Sequence, residues 1–193
     1  TRLRKYLDNT LWIMADKFLG LGVAFLITVV VARYLGPEEF GIFSYVVSLV
    51  SLFAVAGHMG LAGLVVREIV SKPEERGLVL GTTFILKLIG MSLGYIALLI
   101  YGFYYEGLAS IEFILIAILG STLILRSVDT IDYWFQSFVQ AKYVSISNLI
   151  GLFSSSIAKL LFVFGGFGLA YFVLANVIQV VILGLVLLFF YIT

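Results

Sequence analysis

The sequence predicts an all-α membrane protein, in which six transmembrane helices form one bundle and both termini lie in the cytoplasm. Of its 193 residues, 62% are hydrophobic and 12% are charged, and the mean hydropathy is +1.16. Soluble domains are nearer half apolar and a quarter charged, and they cannot bury this much apolar surface. The apolar residues also form runs of about 20 residues, the length that crosses a bilayer as a helix.

The whole chain, residues 1–193, is treated as a single transmembrane lobe. An interfacial segment at residues 61–77 carries both acidic and basic side chains and separates the second predicted span from the third. The spans lie near residues 10–33, 39–60, 78–104, 110–134, 143–164 and 168–191.

A short polar hinge separates the first two spans. Gly36-Pro37 ends the first helix, because proline lacks an N–H and disfavours helical geometry in the residue before it. Glu38 and Glu39 then suit the first turn of the next helix, where the helix dipole is positive. We therefore predict a tight turn between two helices at a membrane surface.

The basic residues outside the spans predict the orientation. Cytoplasmic segments carry the excess of Lys and Arg. The N-terminus, the connection between spans two and three, and the connection between spans four and five hold seven such residues (three, three and one), against one, Arg33, on the other side. The seven are Arg2, Arg4, Lys5, Arg67, Lys72, Arg76 and Lys142. Both termini are therefore expected in the cytoplasm.

Composition also excludes several functions. There is no cysteine and no Lys- or Arg-rich block, so we expect neither a thiolate or metal site nor nucleic-acid binding. We expect no cofactor.

Charged side chains inside the spans are the main functional signal, because they are costly in a bilayer. Lys87 lies about nine residues into the third span, roughly 13 Å along the helix axis at 1.5 Å per residue. We expect it to face a hydrated cavity or an acidic partner such as Asp16. If the four cations of the spans share one cavity, that cavity would attract an anionic headgroup. These cations are Lys17, Lys87, Arg126 and Lys159.

Other polar residues fall on helical faces with a period of 3.6 residues. Carboxylates and the only histidine are alternative carriers for proton or sodium coupling, although a lone His more often bonds a neighbouring helix. They are Asp16, Asp129, Asp132 and His58. Hydroxyl and amide side chains predict a polar lining, although small residues and hydroxyls also hold helices together. They are Ser44, Ser48, Ser51, Asn148, Ser155, Asn176 and Gln179.

Several stretches resemble one known family. The hinge at residues 32–45 reads ARYLGPEEFGIFSY, and the likeness continues at residues 60–69, at Tyr133-Trp134-Phe135-Gln136 and at Ala141-Lys142-Tyr143. These segments are similar to the first lobe of O-antigen-type polysaccharide flippases. That family belongs to the multidrug/oligosaccharidyl-lipid/polysaccharide exporter superfamily.

The resemblance implies a multi-pass protein of the prokaryotic plasma (inner) membrane that is not an enzyme. Its expected substrate is an oligosaccharide linked to polyprenyl pyrophosphate, moved by alternating access among membrane lipids. Family members have twelve or more spans in two lobes, whereas six are predicted here. We therefore expect a fragment, or a half-transporter that pairs with a second lobe or a second copy of itself.

Three other functions stay open. Asp129-x-x-Asp132 is similar to the magnesium-binding carboxylates of intramembrane prenyltransferases, which also act on polyprenyl pyrophosphates. A drug exporter of the same superfamily is a second alternative, although acidic cavity groups would suit it better. A membrane scaffold without transport is the third.

Overall fold

The computed structural model describes the backbone of residues 2–57 and 62–193, and the side chains of residues 9–55 and 62–193. Within these ranges every regular element is helical. The helices are α1 Arg2–Gly57, α2 Ala62–Ser71, α3 Arg76–Tyr105, α4 Ile111–Gly120, α5 Thr122–Leu125, α6 Thr130–Ser137, α7 Ala141–Gly165 and α8 Leu169–Ile192, with 3₁₀ turns at Pro73–Glu75 and Arg126–Asp129.

The predicted break at Gly36-Pro37 is confirmed. Gly36 alone leaves helical geometry inside α1, with φ 76° and ψ 176°. Glycine adopts a positive φ without steric cost, and Pro37 disfavours a helical residue before it. The break divides α1 into two arms, at residues 2–35 and 37–57.

Among the described residues, five helices are long and apolar enough to cross a membrane, whereas the sequence predicts six spans. The difference arises because the first two predicted spans share one element, Asn9–Val55, of 47 residues. A straight helix of that many residues would be about 70 Å long at 1.5 Å per residue, more than twice the thickness of the hydrocarbon core of a bilayer. Divided at Gly36, the set contains six helical segments. The other four candidates are Pro73–Tyr105, Ile111–Ser137, Ala141–Gly165 and Leu169–Ile192.

Apolar side chains cover much of the surface as well as the interior. Phe18, Leu21 and Phe25 on the first arm of α1 are each about 70% exposed. Such exposure suits a helix whose outer face contacts lipid. The main buried core lies between the second arm of α1 and α3, α4 and α8, around residues such as Met91 and Leu115.

Two sets of contacts define the ends of the bundle. At the hairpin end, the Tyr34 hydroxyl donates to the Phe167 carbonyl at 3.0 Å, between the first arm of α1 and the turn that joins α7 to α8. At the opposite end, where α1 and α7 begin, the Ala141 N–H donates to Asn9 Oδ1 at 2.7 Å. Tyr45 also donates to Glu106 Oε1 at 2.7 Å, which joins α1 to the end of α3.

The predicted interfacial segment is helical where it is described. Helix α2 packs Val65 and Ile69 against Leu80 and Tyr133. After α2, Lys72 Nζ lies 3.0 Å from Glu68 Oε2. The hydrogen bond and charge of Glu68 raise the pKa of Lys72 above its usual value.

A close approach of α7 and α8 sets the register of the last hairpin. A Cβ placed on Gly151 would lie 2.9 Å from the Gln179 carbonyl oxygen and 3.2 Å from Leu183 Cβ. Only glycine allows the two backbones to come this near. The polar side chains one and two turns beyond Gly151 therefore meet directly.

The candidate span Ile111–Ser137, the fourth span predicted from the sequence, is not a uniform helix. Between α5 and α6 it narrows to a 3₁₀ turn at Arg126–Asp129. Such a turn in mid-helix often marks a functional hinge. Here it carries two charged side chains into the interior.

Candidate ligand site

The largest of three neighbouring cavities, here named the arginine cavity, has a volume of about 350 Å³. Among the described residues, Arg126 is the only charged one in its lining, which also includes the hydroxyls of Ser51 and Thr122. Both hydroxyls donate to carbonyls of their own helices, at Val47 and Leu119. Their oxygens can therefore still accept a hydrogen bond from a ligand.

A second cavity, the lysine cavity, has a volume of about 260 Å³. Lys159 is its only charged lining residue. Asn176 and Gln179 line both the lysine cavity and the arginine cavity. These two amide side chains therefore stand at the boundary between two positively charged spaces.

Two hydrogen bonds between α7 and α8 hold this boundary. Lys159 Nζ donates to Asn176 Oδ1 at 2.8 Å. One turn away, Ser155 Oγ donates to Gln179 Oε1 at 2.9 Å. Both pairs become possible because Gly151 brings the helices together.

The third and smallest cavity, the balanced cavity, has a volume of about 190 Å³. Its lining contains two cations and two carboxylates, Lys87, Arg126, Asp129 and Asp132. The charges sum to zero when all four groups are ionised. Arg126 also lines the arginine cavity, so its guanidinium lies where the two spaces meet.

Lys87 is almost completely enclosed, with 1% of its surface exposed. Its ammonium lies 4.9 Å from the centroid of the Tyr133 ring, a cation–π distance. Neither Lys87 Nζ nor Asp132 Oδ1 has a hydrogen-bond partner. The nearest opposing charges are those of Asp129 and Asp132. Two buried polar atoms of opposite charge therefore face a space large enough for water.

Lys87 thus faces both a cavity and carboxylates, as expected, but the expected partner Asp16 lies elsewhere. Asp16 Oδ2 accepts a hydrogen bond from Asn148 Nδ2 at 3.0 Å and so joins α1 to α7. The predicted i, i+3 interaction of Arg126 with Asp129 is electrostatic, but the ion pairs shorter than 4.0 Å among the described side chains involve only Lys72.

The structure does not gather the four predicted cations around one cavity. Lys87 and Arg126 share the balanced cavity, Lys159 lines another, and Lys17 is exposed on α1. Of the predicted hydroxyl lining, Ser51 lines the arginine cavity, whereas Ser44 and Ser48 line none of the three. Ser155 acts through Gln179.

The predicted ion-coupling residues lie in three places, one of which is the Asp16 contact with Asn148. Asp129 and Asp132 share the balanced cavity, and His58 lies outside the described residues. Coupling at any of these positions stays a prediction. Across the described residues, no group of three or more His, Cys, Asp or Glu side chains could hold a metal ion. Lys87 and Arg126 already supply the positive charge beside the two carboxylates that a magnesium site would use.

Two features of the site have little signal in the sequence. Thr122 and Thr28 line cavities, but hydroxyls of this kind are common in membrane helices. The Tyr133 ring under Lys87 belongs to the Tyr-Trp-Phe-Gln stretch, where the sequence indicates a family resemblance rather than a role.

The site can now be compared with known proteins. The sequence matches the polysaccharide biosynthesis protein family over residues 6–193. The chain belongs to this family. The match confirms the resemblance drawn from residues 32–45 and the later stretches. No curated protein and no solved structure gives a significant match. As a family member with several membrane-spanning helices, the chain is a multi-pass membrane protein of polysaccharide synthesis.

Proposed function

We propose that this chain is a transporter lobe for lipid-linked oligosaccharides. It binds a glycan carried on polyprenyl pyrophosphate and helps to move it across the prokaryotic plasma membrane. The family supports a role in polysaccharide synthesis, and the cavities supply a physical reason for an anionic, sugar-bearing ligand. On this proposal the chain is a transporter and not an enzyme.

The observation that carries the proposal is the position of Arg126. It is the only charged residue that the described part of the chain contributes to a cavity of about 350 Å³, a size typical of small-molecule sites. A guanidinium matches phosphate oxygens with paired N–H donors and stays charged at any physiological pH. A guanidinium in the cavity wall would disfavour the cationic cargo of a drug exporter.

The rest of the arginine cavity suits a sugar. Ser51 and Thr122 present hydroxyl oxygens, and Asn176 and Gln179 present amides. Apolar residues such as Val47 and Val50 complete the wall, which is the mixture expected of a site that orients a ligand with few polar contacts. The polyprenyl tail would stay in lipid along the exposed apolar helices.

Alternating access requires two bundles that move against each other around a shared site. We therefore propose that a second lobe, or a second copy of this chain, completes the arginine cavity. On the orientation predicted from the basic residues, both termini face the cytoplasm, where lipid-linked glycans would enter.

Titration of a short polyprenyl pyrophosphate into the detergent-solubilised chain, followed by native mass spectrometry, tests the proposal. We expect saturable binding, and we expect Arg126→Gln to weaken it about 10- to 100-fold, as the loss of a charge-assisted hydrogen bond does. Arg67→Gln is the matched control, because Arg67 is exposed on α2 outside the candidate spans. Equal binding of the uncharged polyprenol, or equal affinities of the two variants, would contradict the proposal.

A further inference from the structure

The polar groups of the lysine cavity are arranged as hydrogen-bond donors. The Lys159 ammonium has no acceptor atom, so the Asn176 atom that contacts it at 2.8 Å is the amide oxygen. The Asn176 NH₂ group is therefore free to donate to something else. Two hydrogens of the ammonium are also left.

Gln179 is held in the same sense. Its Oε1 accepts from the Ser155 hydroxyl at 2.9 Å, whose single proton is shared with the Leu152 carbonyl at 3.1 Å, and its NH₂ group stays a donor. Asn176 and Gln179 lie three residues apart on α8, so both side chains project from one face of the helix. Lys159, Asn176 and Gln179 together offer an ammonium and two amide NH₂ groups.

No carboxylate of residues 9–55 or 62–193 lines this cavity. The ligand that complements a positively charged, donor-rich space is an anion with several acceptor oxygens. A neutral sugar hydroxyl would satisfy part of the donor set but would leave the Lys159 charge uncompensated. The cavity therefore favours a carboxylate or a phosphate over a neutral group.

The lysine cavity also adjoins the site of the proposed function. Asn176 and Gln179 line it together with the arginine cavity, so an elongated ligand that passes these two amides would reach both cations. The two cations lie in different cavities with the amides between them. A single pyrophosphate bound at Arg126 would thus leave Lys159 for a group further along the same ligand.

We propose that the lysine cavity is a subsite for an acidic sugar, so that the cargo glycan carries a carboxylate in addition to the lipid pyrophosphate. This inference rests on the proposed function. Lys159 supplies the charge, and Asn176 and Gln179 orient the carboxylate by donating to its oxygens.

Two synthetic lipids that differ only in one carboxylate test the subsite. Each carries a single sugar on a short polyprenyl pyrophosphate, glucuronic acid in one and glucose in the other. For the unmodified chain in detergent, we expect the glucuronosyl lipid to bind about 10-fold more tightly, the effect of one charge-assisted hydrogen-bonded pair. The glucosyl lipid reports the pyrophosphate site alone.

Substitutions assign the preference to the cavity. Lys159→Met should abolish it by weakening only the glucuronosyl lipid. Lys159→Gln should do the same while its amide NH₂ group can still donate to Asn176, so it separates the loss of charge from a simple folding defect. Lys142→Met is the matched control, because Lys142 is exposed at the start of the same helix, and it should retain the full preference.

The outcomes separate the two proposals. Equal binding of both lipids by the unmodified chain overturns the acidic-sugar subsite and leaves the pyrophosphate site standing. An equal loss for both lipids in Lys159→Met also overturns the subsite, since Lys159 would then contact the pyrophosphate. Binding of neither lipid overturns the proposed function and the subsite together.

Discussion

Two lysines inside the bundle, Lys87 buried and Lys159 half-buried, have opposite surroundings. Lys87 faces the carboxylates of Asp129 and Asp132 in the balanced cavity, whereas Lys159 contacts an amide oxygen in a cavity with no carboxylate. A charge inside a membrane protein is retained when it is compensated or when it serves a ligand. We infer that Lys87 stabilises the fold and that Lys159 binds the ligand.

Arg126 belongs to both regions. On one side its charge acts on Asp129, and on the other it is the only charge of the arginine cavity. The 3₁₀ turn at Arg126–Asp129 creates this position between two cavities. A ligand anion at Arg126 would compete with Asp129 for the guanidinium, while Lys87 would still compensate one of the two carboxylates.

The largest expected effect follows from removing Lys87. Lys87→Met leaves two buried carboxylates with one fewer cation, and loss of one partner from a buried charge cluster costs about 3–5 kcal/mol. We expect a decrease of that size in the unfolding free energy, measured by equilibrium unfolding in mixed micelles. Adding Asp132→Asn removes the excess negative charge and should restore at least half of the lost stability.

Lys142→Met serves as the control for this pair, because Lys142 is exposed. If Lys87→Met were as stable as that control, or if Asp132→Asn gave no recovery, Lys87 would not be the counter-ion of the cluster.

The next effect concerns the contact that builds the lysine cavity. Gly151→Ala places a methyl group 2.9 Å from the Gln179 carbonyl oxygen, so α7 and α8 must separate. We expect a loss of about 1–3 kcal/mol in the same unfolding measurement, the usual cost of overpacking. The separation should also weaken the bonds of Asn176 and Gln179.

Gly81→Ala is the matched substitution, since a Cβ on Gly81 meets nothing within 4 Å. Alanine is the better helix former by up to about 1 kcal/mol, so this variant should be as stable as the unmodified chain or more stable. Equal destabilisation by the two alanines would show that Gly151 has no special packing role.

The smallest expected effect on stability is at Lys159. Lys159→Met loses one hydrogen bond, worth about 1 kcal/mol, but it also removes an uncompensated charge from a cavity without a carboxylate. The two terms oppose each other, and we expect the unfolding free energy to change by less than about 1 kcal/mol. A loss as large as that of Lys87→Met would erase the distinction between the two lysines.

The sequence predicts the helices and the break at Gly36-Pro37 well, because proline and the length of a bilayer are local constraints. It also predicts which polar residues share one face of a helix. It does not predict which helices meet. Lys87 faces Asp129 and Asp132 rather than Asp16, because partner choice depends on how α3 packs against the fourth span.

The division of the site into three cavities is likewise a tertiary property. The 3₁₀ turn at Arg126 and the close approach at Gly151 decide which polar groups share a space. The 3.6-residue spacing of polar residues along the sequence reveals neither feature. A sequence pattern therefore groups all four cations, whereas the fold places Lys159 in a different cavity and leaves Lys17 exposed, although its charge still acts on Asp132.

The proposed division of roles is that Arg126 binds the pyrophosphate while Lys87 only balances charge. Its most direct test compares the dissociation constant of a short polyprenyl pyrophosphate for Arg126→Gln with that for the double variant Lys87→Met/Asp132→Asn. We expect Arg126→Gln to weaken binding at least about 10-fold and the charge-neutral double variant to stay within about 3-fold of the unmodified chain. Weaker binding by the double variant than by Arg126→Gln would contradict the account, because it would place the ligand at Lys87.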